Sequence, residues 1–327
     1  MSNEIFLSIK DLVVEYTQGK DVIHAVNGVS LELEKGKTLG LVGETGAGKT
    51  SIAKAILRIL PSVGAFVRSG EIKIEGVDLL TLSEQEMQKI RGDKIAMTFQ
   101  DPMTALDPLM TVGAQIVEAL RLHHADWDSA RCSREAVEML ELVGIPGERF
   151  GEFPHQFSGG MKQRVVIAMA LSCNPELLLA DEPTTALDVT IQAQVLNLIK
   201  DLRKQMRTSM ILITHDLGVV AQMCDEVATV YAGRIVEKGA VMDVYQHPAH
   251  PYTIGLFHAL PSLNVHSERL TPIPGMMPDP ARLPTGCPFA PRCSYATDRC
   301  KEEIPTLREL ANGHFVACHQ NIGGKDA

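Results

Sequence analysis

One glycine-rich segment limits the folds open to this chain more than any other feature: residues 43–50 read GETGAGKT. An apolar run at 38–42 precedes it, and apolar residues at helical spacing follow at 52–60. This order of strand, loop and helix is the context that a phosphate loop requires. The glycines let backbone N–H groups turn towards phosphate oxygens, and the start of the helix adds a positive dipole end. The segment therefore predicts a nucleotide site in which Lys49 supplies a charge and Thr50 binds Mg²⁺.

Two adjacent carboxylates end a second apolar run. Residues 177–180 read LLLA, and Asp181 and Glu182 follow directly. In open α/β sheets, ligands bind at the carboxyl ends of the strands. We expect Asp181 to hold Mg²⁺, directly or through water, and Glu182 to polarise a water that attacks the γ-phosphate. Buried strands here and at 210–213, alternating with helices, predict an α/β fold with a mostly parallel core sheet.

The flanking segments predict two further parts of the fold. Residues 6–9, 12–16 and 28–33 alternate apolar and polar side chains, which indicates antiparallel strands. Residues 101–172 are mostly helical in pattern. The sequence thus predicts an antiparallel opening and a separate helical segment.

Composition and charge exclude several classes of protein. With 45% hydrophobic and 22% charged residues, the chain can bury a core, which excludes disordered and collagen-like structure. The longest apolar stretch near the middle, residues 165–171, is far shorter than the roughly 18 to 20 residues that span a bilayer. The N-terminus shows no secretory signal, so a cytosolic location is expected. A net charge of -9 argues against a protein that binds nucleic acid.

The last 67 residues differ from the rest. Residues 261–327 carry seven Lys/Arg and seven Asp/Glu, so the charge imbalance, 24 against 33, lies in residues 1–260. Seven prolines at 272–291 make this stretch poor material for helices or central strands. We refer to residues 261–327 as the tail.

Four of the seven cysteines fall in the tail, at Cys287, Cys293, Cys300 and Cys318. In a cytosolic chain such a cluster favours a metal site over disulfides. Their spacings lack the close pairs usual for zinc, whereas four thiolates also suit an iron–sulfur cluster. Zinc and unliganded thiols remain alternatives, and His314 and His319 are interpreted as surface histidines that could replace a ligand.

Further motifs resemble one family, the ATPase subunits of ATP-binding-cassette (ABC) transporters. Residues 157–164, FSGGMKQR, are similar to the family signature LSGGQ and lie between the two nucleotide motifs, as the family requires. In this resemblance Gln100 matches the Q-loop, Ala186-Leu187-Asp188 the D-loop, His215 the switch histidine and Tyr16 the aromatic residue that stacks on adenine. Phe157 and Met161 depart from the signature, but neither removes its N–H donors.

The resemblance, over residues 5 to about 260, implies a fold and a set of site residues. The fold is an ABC-type phosphate-loop NTPase at 1–260, with an antiparallel β subdomain and a helical signature subdomain at about 101–172, before a Pro/Cys-rich extension at 261–327. ATP is the implied ligand, and two chains would sandwich two ATP molecules. The implied nucleotide-binding residues are Tyr16, Gly43, Glu44, Thr45, Gly46, Ala47, Gly48, Lys49, Thr50 and Ser51. The implied Mg²⁺ ligands are Thr50, Gln100 and Asp181, and the implied catalytic residues are Glu182, His215 and Gln100. The signature donors are Ser158, Gly159 and Gly160, and the D-loop residue is Asp188.

The tail resembles one branch of the family. HPAHPYT at 247–253, continuing to Pro261, and CPFAPRC at 287–293 are similar to ATPases of oligopeptide and dipeptide importers, a group that includes nickel importers. The resemblance implies a [4Fe–4S] cluster on the four tail cysteines. It also implies a second ABC ATPase chain, two membrane permeases, an indirect solute-binding protein, and a peripheral location on the cytoplasmic membrane face, with residues 100–110 docking the permease.

Two other readings compete with a transporter. A soluble ABC ATPase of DNA repair or translation is opposed by the acidic charge, the single cassette and the absence of a long insertion between Gln100 and Ser158, which are 58 positions apart. A cysteine-ligated storage or redox protein with a degenerate ATPase is opposed by the intact Lys49, Asp181, Glu182 and His215.

Overall fold

The structure, a computed structural model, describes residues 4–185, 187–259, 272–311, 313–320 and 322. The chain divides into two compact units, the first formed by Met1–Leu33, Leu39–Leu80 and Thr214–Ala327, the second by Glu34–Thr38 and Thr81–Ile213. The predicted boundary at Leu260 and Pro261 lies outside the described residues, as does Ala186. The division into 1–260 and 261–327 therefore stays a prediction.

Strands predominate near the start of the chain and helices in its middle. The strands are β1 (Ile5–Gln18), β2 (Asp21–Glu34), β3 (Thr38–Val42), β4 (Ala65–Ile74), β5 (Val77–Asp78), β6 (Ile95–Thr98), β7 (Leu177–Asp181), β8 (Ser209–Thr214), β9 (Glu226–Tyr231), β10 (Arg234–Ala240), β11 (Arg308–Ala311) and β12 (His314–Val316). The helices are α1 (Lys49–Ile56), α2 (Glu84–Ile90), α3 (Pro102–Ala105), α4 (Val112–His123), α5 (Ser129–Leu142), α6 (Gly159–Leu171), α7 (Val189–Met206), α8 (Leu217–Met223), α9 (Val241–Gln246), α10 (Pro251–His258) and α11 (Asp298–Glu302). Short 3-10 turns lie at Leu79–Thr81, Gly147–Gly151, Pro154–Gln156 and Ala290–Arg292.

An antiparallel sheet opens the first unit, in the order β2-β1-β4-β5. The two short strands predicted at 6–9 and 12–16 form one continuous strand, β1. The register of β1 against β4 shifts between Lys10 and Val13, and Asp11 has a φ of 48°. A bulge of this kind lets a strand bend without ending its pairing, which explains why the sequence pattern looked interrupted.

Parallel strand pairs occur in both units. In the first unit β3 pairs with β9, and in the second β6 pairs with β7 and β7 with β8. Every residue of β3, β7 and β8 is buried. Strands covered on both faces consist of continuous apolar runs, because burying each aliphatic side chain contributes about 2 kcal/mol. The predicted α/β core with parallel strands is confirmed, and the antiparallel pairing of β10 with β9 and β12 makes the strand arrangement mixed.

The predicted helical segment is also present in the second unit. Side-chain oxygens of Thr111, Asp128 and Ser158 cap the first turns of α4, α5 and α6 by accepting backbone N–H bonds. Such caps fix where each helix begins.

The tail contains strands that the sequence analysis did not predict. β12 pairs antiparallel with both β10 and β11, with Glu237 opposite Val316. Prolines keep the described residues at 272–291 out of strands. The last proline is Pro305, and strands become possible again after it. No helix among the described residues is both long and apolar enough to cross a bilayer.

Candidate nucleotide site

The glycine-rich loop between β3 and α1 has a backbone that only glycine tolerates. Gly43 and Gly48 have φ values of 151° and 104°. A Cβ atom would lie 2.2 Å from the Val230 carbonyl oxygen at Gly43 and 2.3 Å from the Ala25 carbonyl oxygen at Gly48. Side chains at these positions would force the loop open, so the two glycines fix its shape.

Lys49 holds the same loop from within. Its side chain is buried, and Nζ donates to the carbonyl oxygens of Gly43 at 2.7 Å and Glu44 at 3.0 Å. Gly48 is the N-cap of α1 and supplies no side-chain acceptor. The loop, the ammonium group and the helix start together form a positive cradle suited to phosphate.

Two other predicted residues lie in the same unit as the loop. The Tyr16 hydroxyl is 3.0 Å from Ser51 Oγ, so a hydrogen bond joins the predicted adenine-stacking residue to α1. His215 is exposed in the short turn between β8 and α8. Asp216, next to it, caps α8 by accepting the N–H groups of Gly218 at 2.8 Å and Val219 at 3.2 Å.

The second unit brings the predicted catalytic carboxylate and amide together. Gln100 follows β6 and Glu182 follows β7, and the parallel pairing of these strands places both residues at one edge. Glu182 Oε2 accepts from Gln100 Nε2 at 2.8 Å and from Thr185 Oγ1 at 2.9 Å. Asp181, the predicted Mg²⁺ ligand, is buried at the end of β7.

Glu182 adopts an unusual backbone conformation, with a φ of 46°. Its N–H donates to the Ile213 carbonyl at 2.9 Å, which holds it there. A non-glycine residue in this region costs about 1 to 3 kcal/mol, and such residues cluster at functional sites.

The signature and D-loop residues are adjacent within the second unit. Ser158 is the N-cap of α6, and its hydroxyl accepts the Met161 N–H at 3.4 Å. Asp188 is the N-cap of α7 and accepts the Ile191 N–H at 2.9 Å. A Cβ atom at Gly160 would lie 2.5 Å from Ile191 Cγ2, so this glycine is required for the close approach of the two helix starts.

The two departures from the family signature share a partner that the sequence did not reveal. The Arg149 guanidinium lies 4.2 Å from the centre of the Phe157 ring, and its NH1 donates to the Met161 sulfur at 3.4 Å. A cation over an aromatic face is stabilising. The changed residues therefore pack on Arg149 and leave the N–H groups at the start of α6 in place.

The four tail cysteines line one small cavity of about 10 Å³, together with His250 and Phe289. Burial raises the pKa of Cys287 to about 11 and also raises the pKa of Cys293 and Cys318. Within the described residues, no group of three or more His, Cys, Asp or Glu side chains is arranged to hold a metal ion.

The interpretation of His314 as a surface histidine is wrong. It is buried, and its Nε2 lies 2.8 Å from Glu237 Oε1. Glu237 is fully buried and also accepts the N–H groups of Ala249 at 2.7 Å and His250 at 2.9 Å. The strand β12 of the tail covers the Glu237 carboxylate. The sequence around β10 alone does not indicate that this carboxylate is buried.

Comparison with known proteins identifies the family. Residues 26–185 match the model described as ABC transporter, and residues 236–300 match the one described as oligopeptide/dipeptide transporter, C-terminal region. The oligopeptide transport ATP-binding protein OppD of Bacillus subtilis is 51% identical over 313 residues, 95% of this chain and 87% of that protein. The chain belongs to the ATP-binding proteins of ABC transporters. This membership confirms the predicted ABC-type ATPase fold, whereas the Pro/Cys-rich extension stays a prediction, and it makes the chain an ATP-hydrolysing enzyme that uses ATP with Mg²⁺.

Other relatives of this ABC protein agree. The dipeptide transport ATP-binding protein DppD of Bacillus subtilis is 49% identical, covering 96% of this chain and 94% of its own length. Among solved structures, the ATP-binding cassette MJ0796, a dimer in a post-hydrolysis state bound to ADP and Pi, has a TM-score of 0.65 at 27% identity, covering 72% of this chain and 98% of that one. These matches do not favour a soluble ATPase of DNA repair or translation.

Proposed function

We propose that this ABC ATPase powers the import of di- and oligopeptides through separate membrane permease subunits. The match of residues 236–300 to the oligopeptide/dipeptide transporter C-terminal region carries the proposal, because it covers residues 261–300 of the tail, which the ABC transporter match at 26–185 does not reach. The relatives named for oligopeptide and dipeptide transport support the same substrate class. The chain then acts at the cytoplasmic face of the membrane with two permeases, and a solute-binding protein delivers the peptide.

In the proposed cycle, ATP binds the glycine-rich loop, and a second chain, identical or related, closes over it. Lys49 and the N–H groups at the start of α1 bind the phosphates. Thr50, Gln100 and Asp181 would hold Mg²⁺, which would offset the negative charge of the phosphates. The Ser158, Gly159 and Gly160 segment of the partner chain presents the positive start of its α6 to the γ-phosphate. ATP thereby holds the closed dimer together.

Hydrolysis of ATP removes the contact that holds the two chains of the closed dimer together. Glu182, oriented by Gln100 and Thr185, accepts a proton from the attacking water, and His215 contacts the γ-phosphate region. Asp188 belongs to the segment that meets the partner chain. Loss of the γ-phosphate removes contacts made only in the closed state, so the equilibrium shifts back to the open dimer. Opening and closing then drive the permeases.

Uptake by cells tests the substrate class. A strain lacking this chain should lose uptake of a labelled tripeptide, and the wild-type chain should restore it whereas Lys49→Ala should not. The same strain is assayed for nickel uptake. Loss of nickel uptake with intact peptide uptake would assign the chain to the nickel importers of the same branch instead.

We also propose that Cys287, Cys293, Cys300 and Cys318 hold a [4Fe–4S] cluster. All four cysteines line one cavity. A single zinc ion needs every sulfur about 2.3 Å from one point, a tighter arrangement than a cluster requires. A cluster spreads its thiolates over several irons, and binding it offsets the cost of burying thiolates whose pKa is raised. The cluster would serve the folding of the tail.

Metal analysis tests this assignment. Protein purified without oxygen should be brown, with iron and acid-labile sulfide bound, and Cys293→Ser should lose the colour. A colourless wild-type protein with stoichiometric zinc would contradict the cluster.

A further inference from the structure

One arginine of the tail forms a two-pronged ion pair with the glycine-rich loop. Arg292 NH1 and NH2 lie 2.7 Å and 3.1 Å from the two carboxylate oxygens of Glu44. The Arg292 side chain is only 4% exposed and that of Glu44 is 35% exposed. Two parallel charge-assisted bonds of this kind fix geometry as well as charge.

Further hydrogen bonds hold the Arg292 guanidinium in place. Arg292 Nε donates to the Pro274 carbonyl at 2.9 Å, and NH1 lies 3.4 Å from the Tyr231 hydroxyl. Hydrogen bonding to Glu44 raises the pKa of Arg292, so the guanidinium stays charged. The group is therefore held in place before any ligand arrives.

Two further contacts bring the C-terminal region to the same part of the loop. The Glu44 N–H donates to the Tyr252 hydroxyl at 2.8 Å. A Cβ atom at Gly46 would lie 3.3 Å from Met277 Cε. Residues 44–46 are thus supported by side chains located more than 200 positions away in the sequence.

The charge of Glu44 affects how well the glycine-rich loop can bind ATP. The loop must bind a polyphosphate, yet Glu44 adds a negative charge to it. An uncompensated carboxylate in a partly buried site disfavours a second anion nearby. A paired carboxylate has its charge cancelled and its side chain directed to its partner.

We propose that Arg292 is a positioning residue of the nucleotide site, which neutralises Glu44 and thereby lets the loop bind the phosphates of ATP. The inference rests on the ATP-driven cycle proposed above, because it concerns the same site. Arg292 ends the 3-10 turn Ala290–Arg292, and Cys293, which follows, donates its N–H to Ala290 at 3.3 Å. The turn that carries Arg292 therefore connects Cys287 to Cys293, so correct folding of the cysteine region is a condition for tight ATP binding.

A double-mutant cycle on the full chain tests the proposal. The affinity for Mg-ATP is measured by fluorescence titration for the wild type, Arg292→Gln, Glu44→Gln and the double variant. Arg292→Gln should weaken ATP binding about tenfold, a typical coupling between sites. Adding Glu44→Gln to Arg292→Gln should restore most of the affinity that Arg292→Gln loses, because the unpaired negative charge is gone; Glu44→Gln alone measures the other arm of the cycle.

The control is another arginine of the tail. Arg299 pairs with Glu303 at 2.7 Å, is exposed, and lies next to Cys300 as Arg292 lies next to Cys293. Arg299→Gln should leave the ATP affinity unchanged. Higher salt should reduce the defect of Arg292→Gln, because ions screen the exposed charge of Glu44.

Three outcomes would overturn the proposal: an Arg292→Gln variant with wild-type affinity, a double variant as weak as Arg292→Gln, or a defect equal to that of Arg299→Gln. Thermal unfolding without nucleotide shows whether Arg292→Gln is folded. If it is not, Glu44→Asp, which shortens the carboxylate and breaks the two-pronged pairing, should weaken ATP binding in a folded protein, and an unchanged affinity would overturn the proposal. A wild-type chain that does not bind ATP would contradict the proposed function instead.

Discussion

Replacing Glu182 by glutamine separates proton transfer from the other parts of the nucleotide site. Glu182 Oε2 accepts bonds from Gln100 Nε2 at 2.8 Å and Thr185 Oγ1 at 2.9 Å. A glutamine has the same shape, and its amide oxygen still accepts both bonds. Glu182→Gln therefore removes the capacity to take a proton and leaves the orientation of the side chain intact.

The expected size of the effect follows from that single loss. A positioned general base contributes about 10²- to 10⁴-fold to a rate. Because each factor of ten corresponds to about 1.4 kcal/mol, the barrier to hydrolysis should rise by about 3 to 5 kcal/mol. The affinity for ATP should stay the same, since Lys49 and the glycine-rich loop are unchanged.

Phosphate release in a single turnover at saturating Mg-ATP measures the loss, and a titration measures ATP affinity in parallel. Glu176→Gln is the matched control. Glu176 precedes β7, opposite to the end occupied by Glu182, and pairs at the surface with Lys35 at 3.1 Å. Such a pair contributes less than about 1 kcal/mol, so the control should turn over normally. A Glu182→Gln rate within about fivefold of the wild type would remove Glu182 from the role of base.

Three other changes have defined outcomes. Lys49→Ala should weaken ATP binding by about 100-fold, because it removes the buried cation of the loop; an unchanged affinity in a titration would contradict the phosphate-loop assignment. Glu237→Ala should lower the free energy of unfolding by about 3 kcal/mol, because it leaves the N–H groups of Ala249 and His250 without an acceptor; urea unfolding measures this, and Glu226→Ala, at the edge of β9, should cost less than about 1 kcal/mol. Burial lowers the pKa of His250 to about 3, from 6.5. Between pH 3 and 6.5 the unfolded chain therefore binds more protons than the folded chain. As the pH falls from 6 to 4, the free energy of unfolding of the wild type should decrease by up to about 1.4 kcal/mol per pH unit more than that of His250→Asn. Parallel slopes for the two proteins in that range would contradict a buried neutral His250.

The nucleotide residues could be predicted because their geometry is local or follows from strand pairing. The glycines, Lys49 and Thr50 lie within eight positions of one another. Gln100 and Glu182 are far apart in sequence; the resemblance names both as catalytic residues, and the common edge of the parallel strands β6 and β7 brings them into contact.

The tail could not be predicted in the same way. The pairs Arg292 with Glu44 and His314 with Glu237 join residues 248 and 77 positions apart. Neither pair has a periodicity or a local spacing that would mark it, and both consist of polar residues that a sequence pattern assigns to the surface. The strands β11 and β12 were missed because the prolines before them dominated the composition of the tail.

Transport in a reconstituted system tests the central claim most directly. Proteoliposomes that contain the permease subunits and this chain with its ATPase partner are supplied with ATP on the side of the ATPase and labelled tripeptide with its binding protein on the other. We expect tripeptide uptake that requires ATP and is lost when Glu182→Gln replaces the wild type. Uptake that continues without ATP, or that is equal with Glu182→Gln, would contradict a peptide importer driven by this site.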